Sequence, residues 1–139
     1  QLETAVGTCP AMVAIPDDYL DLFEKPTFAH LGTVLPTGGP HVTPVWVDCD
    51  AEREHVLVNT ERCRQKARNV RENPAVGVSM CDPEDPYRYL SVIGEVAEVT
   101  TEGARTHIDE LSQRYVGTDY QNPIETERLL LRIRADRLV

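Results

Sequence analysis

Five cationic side chains, Arg62, Arg64, Lys66, Arg68 and Arg71, fall within ten residues of the stretch RCRQKARNVRENP. They are over a third of the 14 Lys and Arg residues in a chain whose formal net charge is −9. Cations gathered in this way suit an anion. A chain this acidic lacks the broad positive surface that drives association with nucleic acid or anionic lipid. Neither is therefore an expected partner, and the cluster is sized for a small anion. It follows the apolar stretch HVLVNT, which ends in Asn59 and Thr60. A strand ending there and turning into a helix offers backbone N–H groups, a hydroxyl and cations together, a generic phosphate pocket. At about 100° per residue, Arg64, Arg68 and Arg71 share one helix face. Cys63, Ala67 and Val70 form an adjacent apolar stripe, and Lys66 and Asn69 lie beyond it. The cluster is thus split, and not every cation can reach one ligand. Only two of the cations are lysines, Lys25 and Lys66, and an ammonium among guanidinium groups is not interchangeable with them. The residues alone leave a second reading open, in which the arginines pair with Glu61 and Glu72 or are merely solvated.

Other chemistry is sparse. Cys9, Cys49, Cys63 and Cys81 show no C-x-x-C spacing, and His30, His41, His55 and His107 no H-E-x-x-H. Reduced, mostly buried thiols and no metal site are expected. No apolar run approaches the roughly 20 residues that span a bilayer. The opening QLETAVGTCPAMVA has no cationic region of the kind a signal peptide carries. A cytoplasmic protein without membrane contact is the expectation.

The elements that must position the cluster follow from the period of the apolar residues. At 139 residues one domain is expected, with residues 1–15 as an arm or edge strand and 16–139 as the folded unit. IPDDYLDLFEKP reads as a short helix, with Pro16 in its first turn and Asp17 and Asp18 at its positive end. FAHLGTVL and HVTPVWVD read as a hairpin around PTGGP, with an interruption or bulge at Pro44. CDAERE is a turn and HVLVNT a third strand. RCRQKARNVREN is a helix stopped by Pro74, and AVGVSMC and YRYLSVIGEVAEV are the fourth and fifth strands. A helix capped by Thr100 or Thr101 carries Ala104, Ile108, Leu111 and Tyr115 on one face and stops at Gly117. ERLLLRIRADRLV is the sixth strand. Six strands with two or three short helices argue for a mainly β fold, a small closed barrel with flanking helices. The fifth strand, apolar on both sides, needs cover on both faces, so a dimer is expected.

In this order, GTVLPTGGPHVTPVWV, HVLVNT, RQKARNVRENPAVGVSM and YLSVIGEVAEV with its helix, the chain resembles the pyridoxamine 5′-phosphate oxidase-related, flavin-binding split-barrel proteins. It is most similar to their branch using the deazaflavin coenzyme F420. The K-x-R-N-x-x-x-N-P block over 66–74 is the most specific piece, and residues 1–15 are not covered. The resemblance implies a six-stranded split barrel and a homodimer with cofactors in interface grooves. It implies that Thr43, Pro44, Val45 and Trp46 line the cofactor ring. Asn59, Thr60, Arg64 and Lys66 would hold the phosphate. Arg68 and Asn69 match the motif too, although the helical wheel sets Arg68 away from Lys66. The partner subunit would contribute from near Tyr87 and Tyr89. A flavin or deazaflavin carries the hydride chemistry itself, so no catalytic triad, carboxylate pair or metal motif is required. His41 and His55 are candidate proton donors by strand position only, and no catalytic acid is assigned. The expected function is F420-dependent hydride transfer to a small organic substrate. The alternatives are an FMN-binding oxidoreductase or pyridoxamine phosphate oxidase, and a non-enzymatic cofactor-binding protein. The chain ends at LLLRIRADRLV without the extra substrate residues that the family's oxidases carry, which counts against pyridoxamine phosphate oxidase activity.

Overall fold

A computed structural model describes residues 12–139. Of the arm expected over 1–15, only 12–15 lie within the described residues. There the Val13 N–H donates to the Ala135 carbonyl at 2.8 Å and Ile15 is buried. The first expected helix is shorter than its pattern, a 3-10 turn, Asp17–Tyr19, followed by the single turn α1, Asp21–Glu24. Lys25 leaves in extended backbone ahead of Pro26.

Seven strands follow among the described residues: β1 (Phe28–Val34), β2 (Pro40–Trp46), β3 (Asp48–Cys49), β4 (His55–Glu61), β5 (Ala75–Asp82), β6 (Asp85–Thr100) and β7 (Arg128–Leu138). They form one antiparallel sheet in the order β2-β1-β5-β6-β7-β4-β3. The sheet curls so that β2, at one edge, comes against β4 near the other, the split barrel expected. The seventh strand is the two-residue β3, which joins the last residue of the expected second strand to the first of the expected turn. It forms because Asp48 and Cys49 reach the outer side of β4, opposite Leu57 and Val56. Pro44 causes no interruption. The register of β1 with β2 runs unbroken from Phe28↔Trp46 to Val34↔Pro40. β2 has a ladder on one side only, and an edge strand tolerates a residue without an N–H.

Alternate residues of the strands fill the barrel, among them Leu31, Val58, Val78, Met80, Leu131 and Ile133. Two further helices, α2 (Gln65–Glu72) and α3 (Ala104–Val116), flank it. α3 covers the outer face of β4 and β7, where Leu57, Leu130 and Ala104 form a second cluster. Thr100 and Thr101 do not cap it. The Thr100 hydroxyl accepts the Glu102 N–H at 3.0 Å, and the helix starts after Gly103 at φ 76°. Its end is as expected. Gly117, at φ 82°, donates to the carbonyls of Ser112 and Gln113, the left-handed stop that glycine permits.

Gly94 lets β6 bend over β7. The ladder slips between Ile93 and Gly94, and a Cβ at position 94 would stand 1.9 Å from the Arg134 carbonyl oxygen. Cys9 lies outside the described residues, and the other thiols depart from expectation. Cys49 is half-buried, and Cys63 and Cys81 are exposed. Cys63 lies in the turn before α2 and Cys81 on the outward side of β5, so neither faces the barrel.

Candidate functional site

The cationic stretch opens into a cleft of about 230 Å³ at the junction of β4 and α2. One wall is the end of β2, Pro44 to Trp46, with Phe28 of β1 beside it. The floor is the end of β4, Asn59 to Glu61. Arg64 and Lys66 enter from the start of α2, and Arg128 from the first residue of β7. Tyr120 and Asn122, from the connection between α3 and β7, close the remaining side.

Local packing decides which cations reach this cleft. Ala67 and Val70 bury one side of α2 against the barrel, which turns Lys66 toward β4. Asn69 is buried as well. Its amide donates to the Thr33 hydroxyl at 2.9 Å, and its oxygen accepts from Gln65 at 2.7 Å. Arg68 donates to the Cys63 carbonyl and to Gln65 Oε1. Arg68 and Asn69 therefore do not line the cleft. With Arg71 they border a separate cavity between α2 and the β1–β2 turn. Arg62 pairs with Glu127 at 2.7 Å, also outside the cleft. Thr43 points to the inner side of β2, opposite Leu31, where its hydroxyl is buried without a hydrogen-bond partner among the described residues. His41 is on the same side of β2. His55 is bound to Asp50 at 2.7 Å at the far end of β4, so neither histidine lines the cleft. Pro44, Val45, Trp46, Asn59, Thr60, Arg64 and Lys66 are the expected residues that the fold brings together.

The charges in the cleft are not balanced. Among the described residues, no carboxylate lies within ion-pairing distance of Arg64 or Lys66. Glu61, which lines the cleft, is engaged elsewhere. Its Oε2 accepts the Thr126 N–H at 2.7 Å, the Thr126 hydroxyl at 2.9 Å and the Glu125 N–H at 3.0 Å. Those bonds, the Thr126 N–H foremost, hold its carboxyl below the usual range. Its other oxygen stands 3.7 Å from Arg128. Arg128 itself is buried. Its Nε–H donates to Asn59 Oδ1 at 2.8 Å and its guanidinium lies over the Tyr120 ring at 5.1 Å. Burial lowers the pKa of Lys66, and the positive fields of Arg64 and Arg128 lower it further. A half-buried ammonium beside two guanidinium groups is an electrostatic cost to the folded chain that a bound anion would remove.

The apolar wall is an aromatic stack. Trp46 lies on Tyr115 with ring centroids 4.9 Å apart and 16° between planes, and Phe28 and Tyr120 meet this pair edge-on. The Tyr115 hydroxyl accepts the Val47 N–H at 3.0 Å and donates to the Thr27 carbonyl, which pins the stack to the barrel. Sequence reasoning did not find Phe28, Tyr120 or Arg128. Tyr120 sits in a polar connection without periodicity. Arg128 reads as the solvent side of an alternating strand. The available signal was register, since β4 and β7 pair Glu61 with Arg128 beside the expected phosphate residues.

The pyridoxamine 5′-phosphate oxidase family profile matches residues 15–138. The chain belongs to this family. Among solved structures it is similar to an F420 reductase, with 34% identity over 90% of this chain and 98% of that one, at a TM-score of 0.78. It is also similar to a conserved hypothetical protein from Mycobacterium tuberculosis, with 25% identity over 91% and 84% of the two chains and a TM-score of 0.70. A putative pyridoxamine 5′-phosphate oxidase from Lactobacillus delbrueckii shares the fold at 14% identity, with a TM-score of 0.63 over 91% and 93%. Nothing among curated proteins matches. The chain thus has the split-barrel fold of this family, and its solved neighbours include a flavin-related oxidoreductase, the F420 reductase. No helix among the described residues is long and apolar enough to cross a membrane.

Proposed function

We propose that this protein binds the deazaflavin F420 in the cleft between β2, β4 and α2 and transfers hydride to a small unsaturated organic substrate, working as a homodimer. The observation that carries the reading is the charge of Arg64 and Lys66, without a carboxylate partner among the described residues, converging with that of Arg128 at a strand-to-helix junction. Among the described residues, the one lining carboxylate, Glu61, stands 3.7 Å from Arg128 and offsets only one of the three cations. The likeness to an F420 reductase at 34% identity supports the same cofactor.

The residues present fit such a group. Thr60 and the start of α2 offer a hydroxyl and backbone N–H groups toward the phosphate, and Arg64, Lys66 and Arg128 offer charge. Several cations suit a phosphate followed by an acidic tail. The main chain of Pro44, Val45 and Trp46 and the aromatic stack behind it would support a flat ring and exclude water from one side. When bound, the deazaflavin supplies the hydride chemistry, and the protein holds and orients it. No side chain of the cleft is assigned as proton donor.

The cleft continues onto an outward sheet face that bears exposed Phe28, Val42, Tyr87, Tyr89 and Ile93. Large apolar side chains gathered on one face are a mark of an interface, and a second copy there would cover the open side of the cleft. FMN is the second reading, favoured by the size of the cleft, since three cations around about 230 Å³ also suit a single phosphate.

Trp46 is the only tryptophan and lies in the cleft wall, so quenching of its emission reports occupancy. Titration with F420 is expected to saturate at least about ten-fold tighter than with FMN, roughly the worth of one additional charge-assisted hydrogen bond. Tighter FMN binding would move the assignment to the second reading, and absence of quenching by both would refute the site. Ile93→Glu is expected to yield monomers in analytical ultracentrifugation. A variant that stays dimeric would refute the proposed interface.

A further inference from the structure

A buried histidine that none of the foregoing uses stands behind the cleft. His107, on the inner face of α3, is 7% exposed. Its Nε2 lies 3.1 Å from Asp48 Oδ2 and its Nδ1 3.2 Å from the Asn59 amide nitrogen. Asn59 is fixed at its other contacts. Its nitrogen is 2.8 Å from the Ala104 carbonyl, which can only accept, and its oxygen 2.8 Å from the Arg128 Nε–H, which can only donate. The amide orientation follows from these two partners alone. Its NH2 must then also face His107 Nδ1, which must accept. The proton of the neutral imidazole therefore sits on Nε2 and is given to the Asp48 carboxylate. The chain of bonds runs Asp48, His107, Asn59, Arg128, and it ends at a cation of the cleft.

We propose that His107 is a positioning residue: as the Nε2–H tautomer it locks the Asn59 amide so that its oxygen holds the Arg128 guanidinium at the cleft floor. The inference rests on the proposed anion site for its consequence in binding, but not for its geometry. Protonation of His107 places an Nδ1–H against the Asn59 NH2, two donors facing each other. Asn59 can relieve this only by turning its oxygen to His107. That turn removes the acceptor from Arg128, sets NH2 against the Arg128 Nε–H and brings the amide oxygen against the Ala104 carbonyl. The charged groups around His107 are Asp48 from β3 and, across that carboxylate at 3.2 Å, Arg114 from α3 itself. Arg128 from β7 stands beyond Asn59. Grip on an anion is thus expected to be weaker wherever the ring carries both protons.

The test has two arms on the whole chain. Side-chain ¹⁵N NMR of the cofactor-free protein at pH 8 is expected to show His107 with Nε2 protonated and Nδ1 bare. The opposite tautomer overturns the inference whether or not any cofactor binds. The second arm compares wild type with His107→Gln, whose amide can present oxygen to Asn59 and NH2 to Asp48 without titrating. Binding of F420, or of FMN if F420 does not bind, is followed by Trp46 quenching from pH 8 to pH 5.5. Wild-type affinity is expected to fall by roughly ten-fold more than that of the variant, about the loss of one hydrogen bond to a charged group. Parallel pH profiles would overturn the inference. Loss of binding by the wild type to both cofactors would instead refute the proposed function, and the tautomer alone would then decide the role of His107.

Discussion

Replacing Lys66 by Met should strengthen the empty fold and weaken the loaded one. The side chain is half-buried, has no carboxylate partner among the described residues, and lies near Arg64 and Arg128. Burial and those two cations hold its pKa below the ordinary lysine value of 10.5. A folded-state pKa below the unfolded one means that folding disfavours the charged form. The penalty is fully present below the folded pKa and fades as pH rises toward 10.5. Met keeps the apolar stem in place and removes the charge. Relief of an unfavourable functional-site charge is commonly worth about 0.5–2 kcal/mol. For a chain of this length about 1 kcal/mol corresponds to about 3–5 °C in Tm. Against this stands the loss of a charge-assisted contact to the anion, about 1.5–3 kcal/mol, or roughly 10- to 150-fold in Kd. Thermal denaturation without cofactor at pH 7 and at pH 10 and Trp46 quenching with F420 measure both sides. The variant should melt higher at pH 7, lose part of that advantage at pH 10, and bind more weakly. A lower Tm with unchanged affinity would show that Lys66 is an ordinary packing residue and that the charge in the cleft is not held for a ligand.

Three further outcomes follow from other contacts. Gly94→Ala is expected to destabilise by about 3 kcal/mol or more in urea titration, since its Cβ would stand 1.9 Å from the Arg134 carbonyl and backbone must move; a change below about 1 kcal/mol would mean that the β6 bend is soft. Tyr115→Phe keeps the stack on Trp46 but leaves the N–H of fully buried Val47 without its acceptor, at a cost of about 1–3 kcal/mol by the same titration; an unchanged midpoint would contradict the pinning role of the hydroxyl. Asp21, held to about 2 chiefly by the hydrogen bond from Arg88, adds stability that is present above its ordinary value of 3.8 and is lost as pH falls toward 2. Arg88→Gln should therefore flatten the fall in Tm across that window, and equal slopes for the two proteins would refute the linkage.

The fold was legible where period and punctuation agree. The strands of β1, β2 and β4, the Pro74 stop of α2 and the Gly117 stop of α3 are local events, written in alternation and in single residues. β3 was not legible, because its two residues are a strand only by virtue of lying beside β4. Pro44 misled for the same reason, since whether a strand lies at a sheet edge is a property of topology. At the site, Asn59, Thr60, Arg64 and Lys66 are near in sequence, but the wheel set Lys66 off the face of Arg64, and it was the family resemblance that grouped the four. Arg128 is 62 residues beyond Lys66 and joins them only through the pairing of β4 with β7. The wheel placed Arg68 and Lys66 apart but could not say which of them faced the barrel junction. Burial of Ala67, Val70 and Asn69 decides that.

The engagement of Glu61 is what separates this cleft from a patch of ordinary surface ion pairs. In β4 it stands opposite Arg128, and a carboxylate in that place would by default neutralise the nearest cations. Instead three donors from residues 125 and 126 converge on one of its oxygens, at distances shorter than the 3.7 Å that separates the other from Arg128. Glu61 is thus a clasp for the segment leading into β7, and β7 in turn carries Arg128 to the cleft. One carboxylate both builds the wall and stands beside Arg128, so a single negative charge meets three cations in the cleft and positive charge accumulates in a chain that is acidic almost everywhere else. An accidental excess of arginine would be expected to find carboxylates, which outnumber cations here by 23 to 14. Most do, and Arg62, Arg88, Arg132 and Arg134 each have at least one. Arg64 and Lys66, like Arg68, Arg71 and Arg137, have none among the described residues, but of these five only Arg64 and Lys66 line the cleft beside Arg128, and that convergence is the physical reason for reading the junction as a site and not as a solvated helix end.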